Sequence, residues 1–409
     1  KDSKTPGDVM VLLKRLSSVT YAASMVFCLC FSVLAEARVP SPPQIEAKAY
    51  ALVDFHSGKV LAARNENERM DLASLTKIMT MYVVDQEIKS GRIHKEDNVQ
   101  ISENAWKAQG SRMFVEVNTT VPVADLIKGI IIQSGNDASI ALAEHVAGSE
   151  DAFVKLMNQT AEQLGMKNTH FMNATGLPDP EHYSTAYDLA LLSKAIIRDF
   201  PESYANYSEK WFTYQGIKQP NRNRLLWREN YVDGIKTGHS STAGYCLAAS
   251  GEQNGMRLIS VVLGTESDNA RTDDSQKLLR YGFRFFETHE LFSANKPIKE
   301  PRIWMGQAKK VPLGVANTLY ITVPLGDYKK LQAQVTLDKA LTAPVKAGDE
   351  KGKLVVKLDQ EIILEQPLVA LDSVEKSGMF SRFSDYISLK MHDWFGSEEA
   401  SENASPSNG

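Results

Sequence analysis

The sequence predicts an α+β protein: an antiparallel sheet flanked by helices, followed by a small all-β domain and a terminal amphipathic helix. Three observations carry this expectation. Strand-like runs near the N-terminus give way to a long helical region, and then to three consecutive strand-like runs between Tyr231 and Leu263. That order lets the first hairpin join the last strands in one sheet, with the helices packed on it. After Asn295-Lys296-Pro297 the pattern shifts to short alternating runs, and the chain closes on an aromatic-rich helical stretch.

Residues 1–37 read as a secretory signal. Lys14 and Arg15 supply the positive region, Ala22 to Phe31 the apolar centre, and Ala35-Glu36-Ala37 a small-x-small cleavage site. Tyr50 to Asp54 and Gly58 to Ala62 read as a hairpin turned by His56-Ser57-Gly58. A helix follows from Ser74 to about Ser90-Gly91. Its apolar residues (Ile78, Met79, Met81, Tyr82, Val83, Val84, Ile88) cover nearly every side, the pattern of a buried central helix.

Two helical runs, Val123 to Gln133 and Asp137 to Ala147, are separated by Ser134-Gly135-Asn136. Residues 151–200 continue helical, with a break from Asn173 to Pro180 expected as a surface loop. Val232 to Gly238, Gly244 to Ser250 and Arg257 to Leu263 are three antiparallel strands, the last two joined at Glu252-Gln253-Asn254-Gly255. Asp274 to Glu287 is expected as a closing helix. Alternation around Leu319–Val323, Leu331–Leu337, Leu354–Leu358 and Glu361–Leu371 then builds the β domain.

In residues 379–395 a helical period puts Met379, Phe380, Phe383, Tyr386, Ile387, Met391, Trp394 and Phe395 on one face. The segment is too short and too polar to span a bilayer, and suits an anchor lying in the membrane surface. The domain plan is therefore a signal peptide (1–37), a larger α+β domain (44–295), a β domain (298–376), an anchor helix (378–396) and a disordered tail (397–409).

Composition excludes several functions. The 409 residues are 43% hydrophobic and 23% charged with a net charge of −4, an ordinary globular balance without a nucleic-acid footprint. Of three cysteines, Cys28 and Cys30 fall in the signal, leaving Cys246 as a small apolar residue. No Cys/His spacing suits a metal, and no cofactor is expected.

The chemistry concentrates in three motifs. Ser74-x-x-Lys77 puts a hydroxyl and an amine one turn apart on one helix face. A serine needs a neighbouring base, and a lysine serves if burial or another cation lowers its pKa. By itself Ser-x-x-Lys recurs by chance, and Ser134-x-Asn136 would pass for a plain interhelical turn. Lys236-Thr237-Gly238 lies on a predicted strand. The three together, in order and each in a fitting context, form the set associated with penicillin-interacting serine acyltransferases.

At this point the chain resembles the low-molecular-mass penicillin-binding proteins, in particular the D-alanyl-D-alanine carboxypeptidases. Ser184-Thr185-Ala186-Tyr187-Asp188-Leu189-Ala190, Asn221-Arg222-Asn223 and Tyr281 to Thr288 extend the likeness. The resemblance implies a β-lactamase/transpeptidase-like fold and an acyl-enzyme on Ser74, with Lys77 as its base. The oxyanion would lie between the N–H groups of Ser74 and His239, the residue after Gly238. Ser134 and Lys236 would pass a proton to the leaving D-alanine, and Asn136 would hold the substrate amide. Lys236, Thr237 and Arg222 would grip the terminal carboxylate.

The implied partners are peptidoglycan stem peptides ending in D-Ala-D-Ala, β-lactam antibiotics, and a membrane surface met by the C-terminal helix. The implied location is the periplasmic side of a bacterial inner membrane. Two alternatives share features with this reading: a serine β-lactamase, and a wall-binding scaffold with a silent site.

Overall fold

In the computed structural model, residues 39–337, 340–395 and 402–404 are described, except for the side chains of Ser381 and of residues 391–395 and 402–404. The expected signal peptide, and the part of the apolar face formed by Met391, Trp394 and Phe395, lie outside these.

A five-stranded antiparallel sheet forms the centre. Its strands are β1 (Ala49–Asp54), β2 (Val60–Arg64), β3 (Val232–Ser240), β4 (Gly244–Gln253) and β5 (Met256–Thr265). The order β2-β1-β5-β4-β3 joins the N-terminal hairpin to the later strands, as expected. Ala51 pairs with Val261, and Lys236 with Ala248. The β4–β5 hairpin turns through Asn254 (φ 52°) and Gly255 (φ 77°), the left-handed pair that a tight two-residue turn demands.

The strands are buried on both faces. Ala51, Val53, Ile259 and Val261 join the large helical core. On the opposite face, a β-carbon on Gly282 would press against Leu258 and Leu52. The helical layer contains α1 (Lys77–Lys89), α2 (Asn136–Ala147), α3 (Glu150–Gln163) and α4 (Ala186–Asp199), while α5 (Asp268–Phe285) covers the second face. Every residue of α1 from Lys77 to Asp85 is buried, so it is the central helix the sequence suggests. Ser149, Thr185 and Ser267 cap α3, α4 and α5 by accepting from Ala152, Asp188 and Ala270 N–H.

Three local expectations are corrected. The closing helix starts earlier and ends at Phe285, where the chain passes directly into β6 (Phe286–Phe292), paired with β7 (Leu319–Pro324). The break after α3 is not wholly a surface loop, because Ala174 and Thr175 are buried against α1. In the tail expected to be disordered, Glu402–Ala404 lies as a short strand beside Ala333–Val335. An open sheet edge is a template for such pairing.

The C-terminal domain is built on β8 (Leu331–Leu337), β9 (Glu350–Leu358) and β10 (Glu361–Ala370), with Val335, Leu354, Val356 and Leu368 in its core. It meets the first domain through hydroxyls: Thr288 Oγ1 donates to Asp54 Oδ2 at 2.7 Å, and Ser57 and Thr322 are 2.6 Å apart. The last helix, α6 (Met379–Phe395), turns its polar side to this domain. Asp385 Oδ2 accepts the Met305 N–H at 2.9 Å, while Phe380 is 95% and Phe383 67% exposed.

Candidate active site

Ser74 lies in a single tight 3₁₀ turn, Ala73–Thr76, and α1 begins at Lys77. The serine is therefore held just before the helix and not at its first residue. Ala73 takes a left-handed φ of 45°, held by Asp71 Oδ1, which accepts its N–H at 2.9 Å. The turn brings Lys77 Nζ to 2.9 Å from Ser74 Oγ.

Lys77 is 1% exposed. Its Nζ donates to Ser74 Oγ, to Asn136 Oδ1 at 2.7 Å and to the Thr175 carbonyl at 2.6 Å. Burial pushes its pKa down to about 7, Arg222 adds to the push, and Asp137 opposes it. An amine poised there exists partly as a free base and can accept a hydroxyl proton.

The second motif enters from a turn of π-helix, Gly129–Gln133. Ser134 follows with φ 61°, left-handed for a residue with a side chain, and its Oγ stands 2.9 Å from Lys236 Nζ. Such backbone strain is commonly kept where a side chain must be aimed. Asn136 is committed at both ends: Oδ1 accepts from Lys77, and Nδ2 donates to the Gln109 carbonyl at 2.6 Å. One Nδ2 hydrogen remains for a substrate, so the side chain's first task in this structure is to hold Lys77.

Beside it, the Asp137 carboxylate accepts the N–H groups of Met113, Phe114 and Val115 at 3.0, 2.8 and 3.2 Å, which fixes the loop carrying Gln109. A β-carbon on Gly110 would lie 2.9 Å from Asn136 Nδ2.

Strand β3 supplies the third wall. Lys236 and Thr237 are buried. Burial first, then Lys77, Arg222 and Arg271, drive the Lys236 pKa well below the usual lysine range. A β-carbon on Gly238 would lie 3.3 Å from Ser74 N and 2.7 Å from the Leu72 carbonyl. Glycine thus lets the strand touch the nucleophile turn backbone to backbone. The next residue, His239, is exposed and stacks on Tyr245 with ring centres 4.0 Å apart.

Arg222 is exposed, but near enough to lower the pKa of both lysines. Its neighbours pin it: Asn221 Nδ2 donates to Glu209 O at 3.0 Å and Asn223 Nδ2 to Gly234 O at 2.7 Å. The cation over the Trp227 ring is Lys210, at 6.0 Å. The edge of the site thus carries positive charge. Among the described residues, no three His, Cys, Asp or Glu are grouped to hold a metal.

All nine residues named from the sequence lie on these three walls or at their edge. Sequence reasoning missed Thr175, Gln109, Asp137 and buried Arg271, which donates to the Gly238 carbonyl at 2.8 Å. Thr175 had a partial signal in Gly176, whose φ of 84° marks a sharp turn.

Residues 36–267 match the D-alanyl-D-alanine carboxypeptidase family, and residues 286–376 match the penicillin-binding protein 5 C-terminal domain. The chain is 45% identical to D-alanyl-D-alanine carboxypeptidase DacC of Escherichia coli over 93% of its own length and 98% of the relative's. It is also 45% identical to DacA of Haemophilus influenzae, over 94% and 100%. The crystal structure of penicillin-binding protein 5 from Haemophilus influenzae superposes with a TM-score of 0.80 at 47% identity, covering 82% of this chain and all of that one. The chain belongs to the D-alanyl-D-alanine carboxypeptidase family of penicillin-binding serine peptidases, enzymes of cell-wall metabolism.

Proposed function

We propose that the chain removes the terminal D-alanine from peptidoglycan stem peptides through an ester on Ser74. The observation that carries this reading is the buried Lys77 amine, 2.9 Å from Ser74 Oγ and with a pKa near 7. Lys77 takes the hydroxyl proton as Ser74 Oγ bonds to the carbonyl carbon of the penultimate D-alanine. The oxyanion meets the N–H groups of Ser74 and His239, each such donor being worth roughly 3 kcal/mol of barrier. Ser134 and Lys236 deliver a proton to the departing amine as the C–N bond breaks. Lys236, Thr237 and Arg222 hold the free carboxylate, a charge-assisted contact. Water then cleaves the ester. A β-lactam, which mimics the scissile amide, enters the same path and acylates Ser74.

We further propose that α6 rests in the outer surface of the inner membrane. Its exposed Phe380 and Phe383 lie opposite the Asp385 contact with the β domain, which supports this orientation. Among the described residues, no helix is long and apolar enough to cross a membrane.

The test is release of free D-alanine from a D-Ala-D-Ala peptide by the parent and by Ser74→Ala. Loss of release together with loss of the benzylpenicillin adduct supports the enzyme reading. No release by either protein would favour a scaffold with a silent site, and equal release by both would take the reaction away from Ser74.

A further inference from the structure

We propose that His182 is a positioning residue for acyl transfer, holding through Thr76 the peptide plane that presents the Ser74 N–H. The proposal rests on Ser74 being the nucleophile.

His182 is 2% exposed, and its ring meets the edge of Phe171 at 5.7 Å. Its Nδ1 accepts the backbone N–H of Met172 at 3.1 Å. A backbone amide only donates, so Nδ1 carries no hydrogen and the proton sits on Nε2. Nε2–H therefore donates to Thr76 Oγ1 at 2.8 Å, and the Thr76 hydroxyl passes its own hydrogen to the Ala73 carbonyl at 2.9 Å. Burial holds the imidazole pKa down at about 4, which keeps this neutral form in place.

The Ala73 carbonyl and the Ser74 N–H belong to one rigid peptide unit and point in opposite directions. Fixing the carbonyl toward Thr76 aims the N–H away from it. Ala73 needs that support, because its left-handed φ of 45° is costly for a residue with a β-carbon. Gly176 closes over the same carbonyl: a β-carbon there would lie 1.8 Å from Ala73 O and 2.8 Å from Thr76 Oγ1. The Met172 bond ties in the segment whose Thr175 carbonyl holds Lys77. One buried ring thus spans the nucleophile turn and the loop that anchors its base.

Two substitutions separate the two nitrogens. His182→Asn keeps an acceptor near Nδ1 and loses the Nε2 donor, whereas His182→Gln keeps a donor near Nε2. We expect His182→Asn to slow acylation by benzylpenicillin about 100-fold with the prior binding step unchanged, and His182→Gln to stay within about threefold of the parent. Thr76→Val should match His182→Asn, and the double variant should be no slower than either. Thr76→Val also keeps the test open should His182→Asn fail to fold. Parental rates in His182→Asn and Thr76→Val, or an equal loss in the Asn and Gln variants at matched melting temperature, would overturn the proposal. Peptide mapping of the adduct separates the readings: labelling away from Ser74 sinks both, while Ser74 labelled at the parental rate in His182→Asn sinks this one alone.

Discussion

Lys77 Nζ donates to the backbone carbonyl of Thr175 at 2.6 Å, across 98 positions of sequence. A carbonyl cannot take the proton, so it holds the amine in place and favours the ammonium. Burial acts the other way and prevails, leaving the pKa at about 7.

The rate of acylation should follow that amine. Its neutral fraction is lost as pH falls, so the rate should drop by about tenfold per unit below pH 7 and level off above it. Stopped-flow acylation by benzylpenicillin between about pH 5 and pH 9 measures this. A flat profile would remove Lys77 from the proton transfer.

The two lysines have different tasks. Lys77→Arg keeps a cation but offers no neutral amine, since a guanidinium does not deprotonate. Acylation should fall by about 100-fold or more, the usual scale for a lost general base. Lys236→Arg keeps a carboxylate grip and should retain more D-alanine release than Lys77→Arg. The reverse ranking in a steady-state assay would reassign the base.

Asp85, further along α1, bears on stability. It is 3% exposed; Oδ1 accepts from Ser203 Oγ at 2.6 Å, and Oδ2 has no hydrogen-bond partner among the described residues. Burial raises its pKa to about 7 from an ordinary 3.8. The folded state therefore holds the proton more tightly than the unfolded chain. Its contribution is fully present below pH 3.8 and is lost as pH rises to about 7. Above that, the buried charge costs about 4 kcal/mol relative to acid pH. Asp85→Asn should thus stabilise the protein at about pH 8 and change little at about pH 4. Urea unfolding at the two values checks the sign; destabilisation at the higher pH would contradict it.

A chain ended after Ser377 should keep its turnover on small peptides and lose its affinity for liposomes. Burying one large apolar side chain is worth roughly 1.5 to 3 kcal/mol, so Phe380 and Phe383 supply much of the attachment. Phe383→Asp should weaken cofloatation while leaving D-alanine release intact. A large fall in melting temperature on truncation would mean that the Asp385–Met305 contact, and not a membrane, is the helix's main role.

The sequence by itself determined the order of elements and the three chemical motifs. Strand alternation, the Asn254-Gly255 turn and the all-round apolar pattern of α1 are local signals, fixed by side-chain period and backbone preference. Ser74, Ser134 and Lys236 were readable because each motif names its own side chains. The tertiary structure alone decided what holds them. The Thr175 and Gln109 contacts come from backbone carbonyls, which every residue type carries, so no letter of the sequence marks them. Asp137 and His182 act on segments distant along the chain, Met113 to Val115 and Thr76, and their partners appear only once the loops fold back. The 3₁₀ start at Ala73 is likewise set by packing across segments, because local propensity would have chosen ordinary helix there. At Ser134 the sequence marks a turn, and only the fold decides that the serine itself takes the left-handed conformation.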